Sequence, residues 1–507
     1  MANLFKPTSY RSGAALAVGA TAVWKVISFV NSLLIAAYFG AGSATDLYFY
    51  ILIALGLGAY FLQRLNAAVV IPEAMTLEEH TPGRGRALLN GFLYFYVLLL
   101  GISVLAALTC PVTVARGLSL FKTAELTAQR TLIVLGIVLF GLQVLASYLT
   151  AVLEMYRRFT AALFSPLNAL LPLVFLLCFS GPLGVSSLMY GFVLSNVIQI
   201  AVFAWVLKTE LAWEFTPCLF LSGRTFRRNL ASNQLLEFFN IINGLLPLYL
   251  LSGLAAGLVS ALNYAKQLTE SATEVFSLRI TNISKIELTE RAARNQQQAF
   301  NRSYLRTHRF LCFLLTPLAV FSIFYAPEII TVFFKRGLFT QQNVQETTAF
   351  LRPLLAVMLL MVPTLMQNNA AAAMRKLKTF LPYSLSGTLL FTLAVPLAMH
   401  WGGPFAYPYT QLACILISLV INAVFFKRHL SFVAYTTALR DMGRLVGINL
   451  LALLPCIALD TCTTLVNPLL TLACRGIIFV SVLGVISYFS GDLKKFLSYF
   501  SLRLPHP

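Results

Sequence analysis

The chain has 507 residues, of which 58% are hydrophobic and only 11% charged, with a mean hydropathy of +0.79. A soluble domain carries about 25% charged residues, and a soluble chain of this length would break into domains joined by polar linkers, which this sequence lacks. The net charge of +19 would point to nucleic acid in a soluble protein; among recurrent apolar runs it reads instead as the Lys and Arg that collect in cytoplasmic loops.

A spanning helix needs about 20 apolar residues. Fourteen segments meet that length, at 14–39, 47–71, 87–109, 131–153, 161–179, 184–207, 235–252, 254–283, 310–334, 349–374, 380–399, 405–426, 445–465 and 468–490. The expected fold is an all-α polytopic membrane protein of about 14 transmembrane helices. The first run is too long for a signal-peptide core and is expected to remain as an anchor. The seventh and eighth runs are the most polar, and the turn SGLAAG (252–257) divides them. The eight cysteines are scattered without CxxC spacing, so they read as packing residues rather than disulfides or metal ligands.

With the N-terminus in the cytoplasm, 26 of the 37 Lys and Arg fall in inward segments, five in outward loops and six inside spans. That asymmetry predicts both termini on the cytoplasmic side. The longer inward loops, 208–234 and 284–309, read as topogenic charge in contact with anionic lipid headgroups. They also partition the chain into an N-terminal lobe (1–207), a cytoplasmic linker (208–234), a C-terminal lobe (235–426) and a final helix pair with its tail (427–507). AAYFGAGSATDLYFY (36–50) and YLLSGLAAGLVSALNY (249–264) share a small-residue hinge followed by a polar and aromatic helix start, a weak echo of two parallel repeats.

The six in-span cations are Lys25, Arg64, Lys266, Arg279, Arg352 and Arg475. A charge at the bilayer centre costs about 2.5–3.5 kcal/mol on insertion scales and therefore faces water or a partner. Arg64 and Arg279 lie near the cytoplasmic ends of their spans and Arg352 and Arg475 near the outer ends, where snorkelling serves. Lys25 and Lys266 are central, which favours a cavity. In the eighth span Asn263, Lys266, Gln267, Glu270, Thr273, Glu274, Ser277 and Thr281 recur at helical spacing and must line water, a substrate or another polar helix. Asn233, Glu237, Asn240 and Asn243 do the same in the seventh. Two six-helix lobes around a hydrated, net cationic central cavity would favour an anionic substrate. No GxxxxGK[ST], HExxH or GxSxG motif occurs, so no ATP-driven, metallopeptidase or hydrolase chemistry is expected, nor any catalytic residue, metal or cofactor.

FGAGSATDLYFY (39–50), with Lys25 fourteen positions before Phe39, LNYAKQLTE (262–270), FFKRGLFT (333–340) and MRKLKT (374–379) occur in this order. In these segments, and in a layout of two six-helix lobes and an added pair, the chain resembles the MurJ (MviN) lipid II flippases of the multidrug/oligosaccharidyl-lipid/polysaccharide exporter superfamily. The resemblance covers most of the chain. It implies alternating access, with an undecaprenyl-diphosphate-linked precursor whose headgroup enters the cavity between lobes and whose tail follows a groove of helices thirteen and fourteen. Lys25 stands where the family has a first-helix arginine, and Asp46 matches its aspartate after the Gly-Ala-Gly turn. Asn31 and Ser32 replace an Arg-Asp pair, Ala59 and Tyr60 lie where twin arginines are expected, and Lys266-Gln267 replaces Asp-Arg. Lysine is a point charge where arginine grips a diphosphate bidentately, so these departures point to a divergent member with a changed glycan.

The expected function is export of an anionic polyprenyl-diphosphate-linked saccharide, lipid II or a related envelope precursor, across the bacterial cytoplasmic membrane. Lys25 and Lys266 would attract the diphosphate, Arg64 would stand at the cytoplasmic entrance and Arg352 towards the exit. Asn31, Asn240 and Gln267 would bond sugar hydroxyls. Asp46, Glu237, Glu270 and Glu274 would gate the path or bind a monovalent coupling cation, with the membrane potential as the other energy source. Membrane lipids are the remaining partners and nucleic acid is not one. A MATE-like drug or cation exporter predicts an acidic cavity instead. A non-transporting scaffold for envelope assembly predicts that the in-span lysines are dispensable.

Overall fold

The computed structural model describes residues 10–216, 224–273, 279–462 and 467–493. The described residues are helical with no strand, and twelve helices are long and apolar enough to cross a membrane. Chain contacts divide the molecule into two compact units, Met1–Ser260 and Ala261–Pro507.

The first unit holds α1 (Tyr10–Phe39), α2 (Ser43–Leu65), α3 (Ile71–His80), α4 (Arg84–Thr109), α5 (Pro111–Leu118), α6 (Thr123–Ala128), α7 (Arg130–Met155), α8 (Leu167–Leu183), α9 (Ser186–Glu210) and α10 (Arg224–Leu251). A π-helical turn, Asn66–Val70, joins α2 to α3 in one 38-residue span. Asn66 within that turn is fully buried, and its Oδ1 accepts a hydrogen bond from Tyr96 Oη at 2.7 Å. Tyr96 and Tyr148, with Leu149, Phe203 and Val206, form the core where α4, α7 and α9 meet. A Cβ added at Gly191 would lie 2.5 Å from Pro172 Cα, so α9 and α8 touch backbone to backbone, as small residues permit between membrane helices. Leu98, Ile102, Leu105 and Leu108 of α4 are each more than half exposed. An apolar face left open over three turns suits lipid rather than water.

The second unit begins within α11 (Leu258–Thr273) and continues through α12 (Arg279–Ala293), α13 (Gln297–Phe324), α14 (Ala326–Phe334), α15 (Gln341–Ala373), α16 (Leu377–Gly402), α17 (Ala406–His429), α18 (Tyr435–Cys462) and α19 (Pro468–Phe489). α13 packs on α15 and α18. The final pair, α18 and α19, is seated on α13 through Val320, Ala452, Cys456 and Phe479. Deeper in, Asn422 Nδ2 donates to Gln367 Oε1 at 2.8 Å, Gln367 Nε2 donates to Tyr435 Oη, and that hydroxyl donates to the Leu419 carbonyl at 3.0 Å. This chain of polar side chains ties α15, α17 and α18 together through direct hydrogen bonds.

Three helix ends are built alike. α7, α12 and α15 each close on a left-handed residue, Arg157, Asn295 and Arg375, with φ of 59°, 54° and 55°. In each the left-handed residue's N–H bonds the carbonyl three residues back and the next N–H the carbonyl five back, as in Arg157 to Glu154 and Arg158 to Leu153, both at 2.9 Å. This is the Schellman closure, which usually takes glycine because a Cβ there costs about 1–2 kcal/mol.

The structure differs from the sequence reading at the most polar segments. Among the described residues the count of fourteen spans is not reached by length and hydropathy: in α10 only Glu237–Leu251 is apolar, α11 is polar on one face, and the segment read as the eighth span includes 274–278, outside the described residues. Nor is 284–309 a loop: α12 and the start of α13 occupy most of it. Arg291 and Arg294 pair with Glu287 and Glu290, one turn earlier, at 2.8 and 2.7 Å, the order of charges that supports a helix.

Candidate functional site

The expected site residues fall into three groups. Asp46, in the first turn of α2, is 1% exposed. Its Oδ2 accepts from the Gly257 N–H at 2.6 Å, and its Oδ1 accepts from the Ser260 N–H at 2.7 Å and the Ser260 hydroxyl at 2.6 Å. Gly257 adopts φ 100°, open to glycine and strained for most other residues. The carboxylate thus holds the turn that follows α10 and caps the N-terminus of α11, where the free N–H groups and the helix dipole favour negative charge.

The second group sits between α2 and α10. Arg64 is exposed; its Nε donates to Tyr60 Oη at 2.6 Å, and its guanidinium carbon lies 4.9 Å from the Tyr60 ring centroid. The same Nε is 3.9 Å from Glu237 Oε1, while Glu237 Oε2 accepts from Asn240 Nδ2 at 3.2 Å. Four polar side chains on two neighbouring helices can therefore exchange partners by small rotations. An exposed ion pair of this length contributes little to stability, which leaves Arg64 free to meet an anion at small cost.

The third group lies on α11. Lys266 is half-buried, with Nζ 5.7 Å from the ring centroid of the buried Tyr407 on α17, within cation–π reach. Gln267 is half-buried and Glu270 exposed, one turn after Lys266. The same helix presents Leu268 to an apolar cavity of about 300 Å³ that Phe321, Phe333, Leu355 and Leu472 also line.

Other expected residues stand apart. Lys25 is half-buried on α1, with Nζ 4.9 Å from the Trp24 ring centroid. Asn31 is buried, and its Nδ2 donates to the Ala169 carbonyl of α8 at 2.8 Å, so its amide donor fastens two helices. Arg352 is exposed on α15. Glu274 lies outside the described residues, as do the side chains of Asn233 and Arg279. Sequence reasoning missed Tyr60, Ser260 and Tyr407. The first was legible, four residues before Arg64 on one helix face; the other two are partners made by folding.

The sequence model of the family described as lipid II flippase MurJ matches residues 35–465. A 183-residue stretch is 30% identical to the probable lipid II flippase MurJ of Bdellovibrio bacteriovorus; it covers 34% of each protein, so this match spans about a third of the relative's length. A solved structure of a lipid II flippase MurJ in an inward closed conformation superposes with a TM-score of 0.77 at 16% identity, covering 94% of this chain and 99% of that one. An inward-facing multidrug resistance MATE family transporter of the MOP superfamily follows with a TM-score of 0.59 at 12% identity, over 85% and 98%. At these identities the two structures speak for the fold. The family match, covering most of the sequence, says more: this multi-pass membrane protein belongs to the lipid II flippase MurJ family.

Proposed function

We propose that the protein carries an anionic polyprenyl-diphosphate-linked saccharide, lipid II or a related envelope precursor, from the inner to the outer leaflet of the bacterial cytoplasmic membrane. The family match over residues 35–465 carries this reading. Lys25 and Lys266 supply the chemistry: one cation on the apolar α1 and one on the polar-faced α11, each beside an aromatic ring, where a diphosphate is the natural counter-charge. Arg64 receives the headgroup at the cytoplasmic entrance by exchanging Glu237 for phosphate, and Arg352 serves the exit. Asn240 and Gln267 bond the sugar hydroxyls. Asn31 contributes by fixing α1, six residues beyond Lys25, against α8. The apolar cavity reached by Leu268 and Leu472 suits a polyprenyl tail, with α18 and α19, the helix pair of the 427–507 segment, as its track.

Alternating access needs bonds that differ between states, because a ligand shifts only an equilibrium whose two forms it binds unequally. Asp46 with the 257–260 turn, and Arg64 with Glu237, are the bonds we assign to that exchange, while Glu270 serves ion coupling. Both termini lie in the cytoplasm, as the Lys and Arg asymmetry favours.

The test is transbilayer movement in vesicles holding the purified protein, with lipid II beside another undecaprenyl-diphosphate glycan, with and without an imposed potential, and an established flippase as control. Movement of lipid II supports the peptidoglycan role. Movement of the other glycan alone assigns a changed substrate. If neither moves while the control does, the transport reading fails.

A further inference from the structure

Away from these groups, the second unit contains a cavity of about 470 Å³ between α12, α13, α18 and the segment after α19. Five arginines line it, Arg291, Arg302, Arg306, Arg309 and Arg444, against three carboxylates, Glu287, Asp441 and Asp492. Glu287 accepts from Arg291 on one oxygen and from Arg306 on both, at 2.8 to 3.1 Å, Asp441 accepts from Arg309 at 2.6 Å, and Asp492 accepts from Arg444 and from the Ser490 hydroxyl, each at 2.8 Å. Each guanidinium has five N–H donors, so these pairs use a minority of them, and all four paired arginines remain about a third to a half exposed. Arg302 is exposed and has no ion-pair partner among the described residues. The cavity therefore carries two uncompensated positive charges and many unspent donors arranged on three elements. That is a setting for phosphate oxygens.

The floor is different in kind. Phe310, Phe313 and Leu445 line it, and Arg309 to Phe310 is the step at which α13 turns from charged to apolar. On α12, in the turn before Glu287, Ile283 and Ile286 are 63% and 71% exposed on an otherwise polar helix. Open isoleucines beside an arginine-lined cavity mark a helix lying at a membrane–water boundary. A free phosphate would use the arginines and leave the apolar floor and the isoleucines idle; a phospholipid uses all three.

We infer that this cavity binds the phosphodiester headgroup of an anionic membrane phospholipid, with the glycerol end over Phe310 and Phe313 and an acyl chain leaving past α12. The inference stands independently of what the protein transports. The site is additional to the Lys25 and Lys266 groups and would clamp α12, α13 and α18 to one another.

The test uses the full-length protein in a neutral detergent, with bound lipid counted by native mass spectrometry. The probes are phosphatidylglycerol, phosphatidylcholine and soluble glycerol phosphate. Phosphatidylglycerol is expected to bind at least about fivefold better than phosphatidylcholine, and Arg302→Gln to remove most of that preference. Because Arg302 has no ion pair to lose, this variant should fold normally. Asp492→Asn releases Arg444 and raises the local charge, so it should strengthen binding, which a purely structural pair would not do. Equal binding of phosphatidylglycerol by wild type and Arg302→Gln, or equal binding of the two lipids, overturns the site. Full displacement of phosphatidylglycerol by comparable glycerol phosphate overturns the lipid assignment in favour of a free phosphate ester.

Discussion

Asp46 accepts a hydrogen bond from the backbone of Gly257 across 211 residues of sequence, at 2.6 Å, inside a pocket that leaves the carboxylate 1% exposed. Two backbone N–H groups and a hydroxyl end on this one side chain. A buried donor stripped of its acceptor costs about 1–3 kcal/mol, so Asp46→Ala should lower stability by about 3 kcal/mol and abolish transport. Asp46→Asn keeps one acceptor oxygen and should cost about half as much. Thermal unfolding of the purified protein measures both; an unchanged midpoint in Asp46→Ala would mean that water replaces the carboxylate and that the turn needs no latch.

If Lys25 contributes charge to diphosphate binding, its replacement by arginine should be tolerated, since the guanidinium keeps the charge and adds bidentate donors. Lys25→Gln keeps a polar hydrogen-bond donor, one atom shorter, and loses the charge. We expect Lys25→Arg to transport at near wild-type rate and Lys25→Gln and Lys266→Gln each to fall at least tenfold, about 1.4 kcal/mol of lost binding, with protein yield unchanged. Wild-type movement of labelled lipid in the double glutamine variant would end the cationic-site model.

Much of the fold was legible because the bilayer makes a simple demand on sequence: apolar length, with Lys and Arg on one side. The reading lost accuracy where charge and helix coincide. The basic charge of 284–309 reads as an inward loop, yet the i,i+4 Glu–Arg pairs within it stabilise α12 as a helix. α11 carries so many polar groups on one face that hydropathy alone does not identify it as a span. In the candidate site, the cations announced themselves by standing in apolar runs, and Asp46 by its glycine-rich turn. Their partners did not. Ser260 is an ordinary serine until folding brings it to Asp46, and Tyr407 is one of 20 tyrosines until α17 is laid beside Lys266. Asn31 misled for the same reason, since no spacing rule foretells the Ala169 carbonyl.

Glu287 gives the α12–α13 contact a dependence on pH. Burial pushes its carboxyl up, but the Ser303 hydroxyl beside it, the hydrogen bond from Arg291 and the charges of Arg306 and Arg291 outweigh burial and hold it below its ordinary 4.5. A depressed carboxyl stabilises the fold above its unfolded value and loses that contribution as pH falls through the folded value. Protection of the α12 and early α13 amides in hydrogen exchange should therefore be constant from neutral pH to about pH 5 and fall on further acidification. Glu287→Gln should show lower protection at neutral pH and no such acid step. A step of equal size in that variant would assign it to another group.

Arg475 tests how the final helix pair is secured. Its side chain is 4% exposed, its Nε donates to Asp460 Oδ1 at 2.8 Å, and Tyr325 Oη donates to the other carboxylate oxygen at 2.7 Å. Breaking a buried pair by removing one partner costs about 3–5 kcal/mol. Asp460 is 39% exposed, so solvent screens part of the charge left behind, and about 2 kcal/mol is the better expectation for Asp460→Asn. Arg475→Met should cost less than that, because the carboxylate left behind is part exposed to water whereas the guanidinium is buried. The double variant Arg475→Met with Asp460→Asn should recover most of the loss, since no unpaired charge remains between α18 and α19. Thermal unfolding of the three variants decides the matter. Additive losses in the double variant would show that the two residues act separately, and that the packing of Cys456 and Phe479 alone holds the pair on α13.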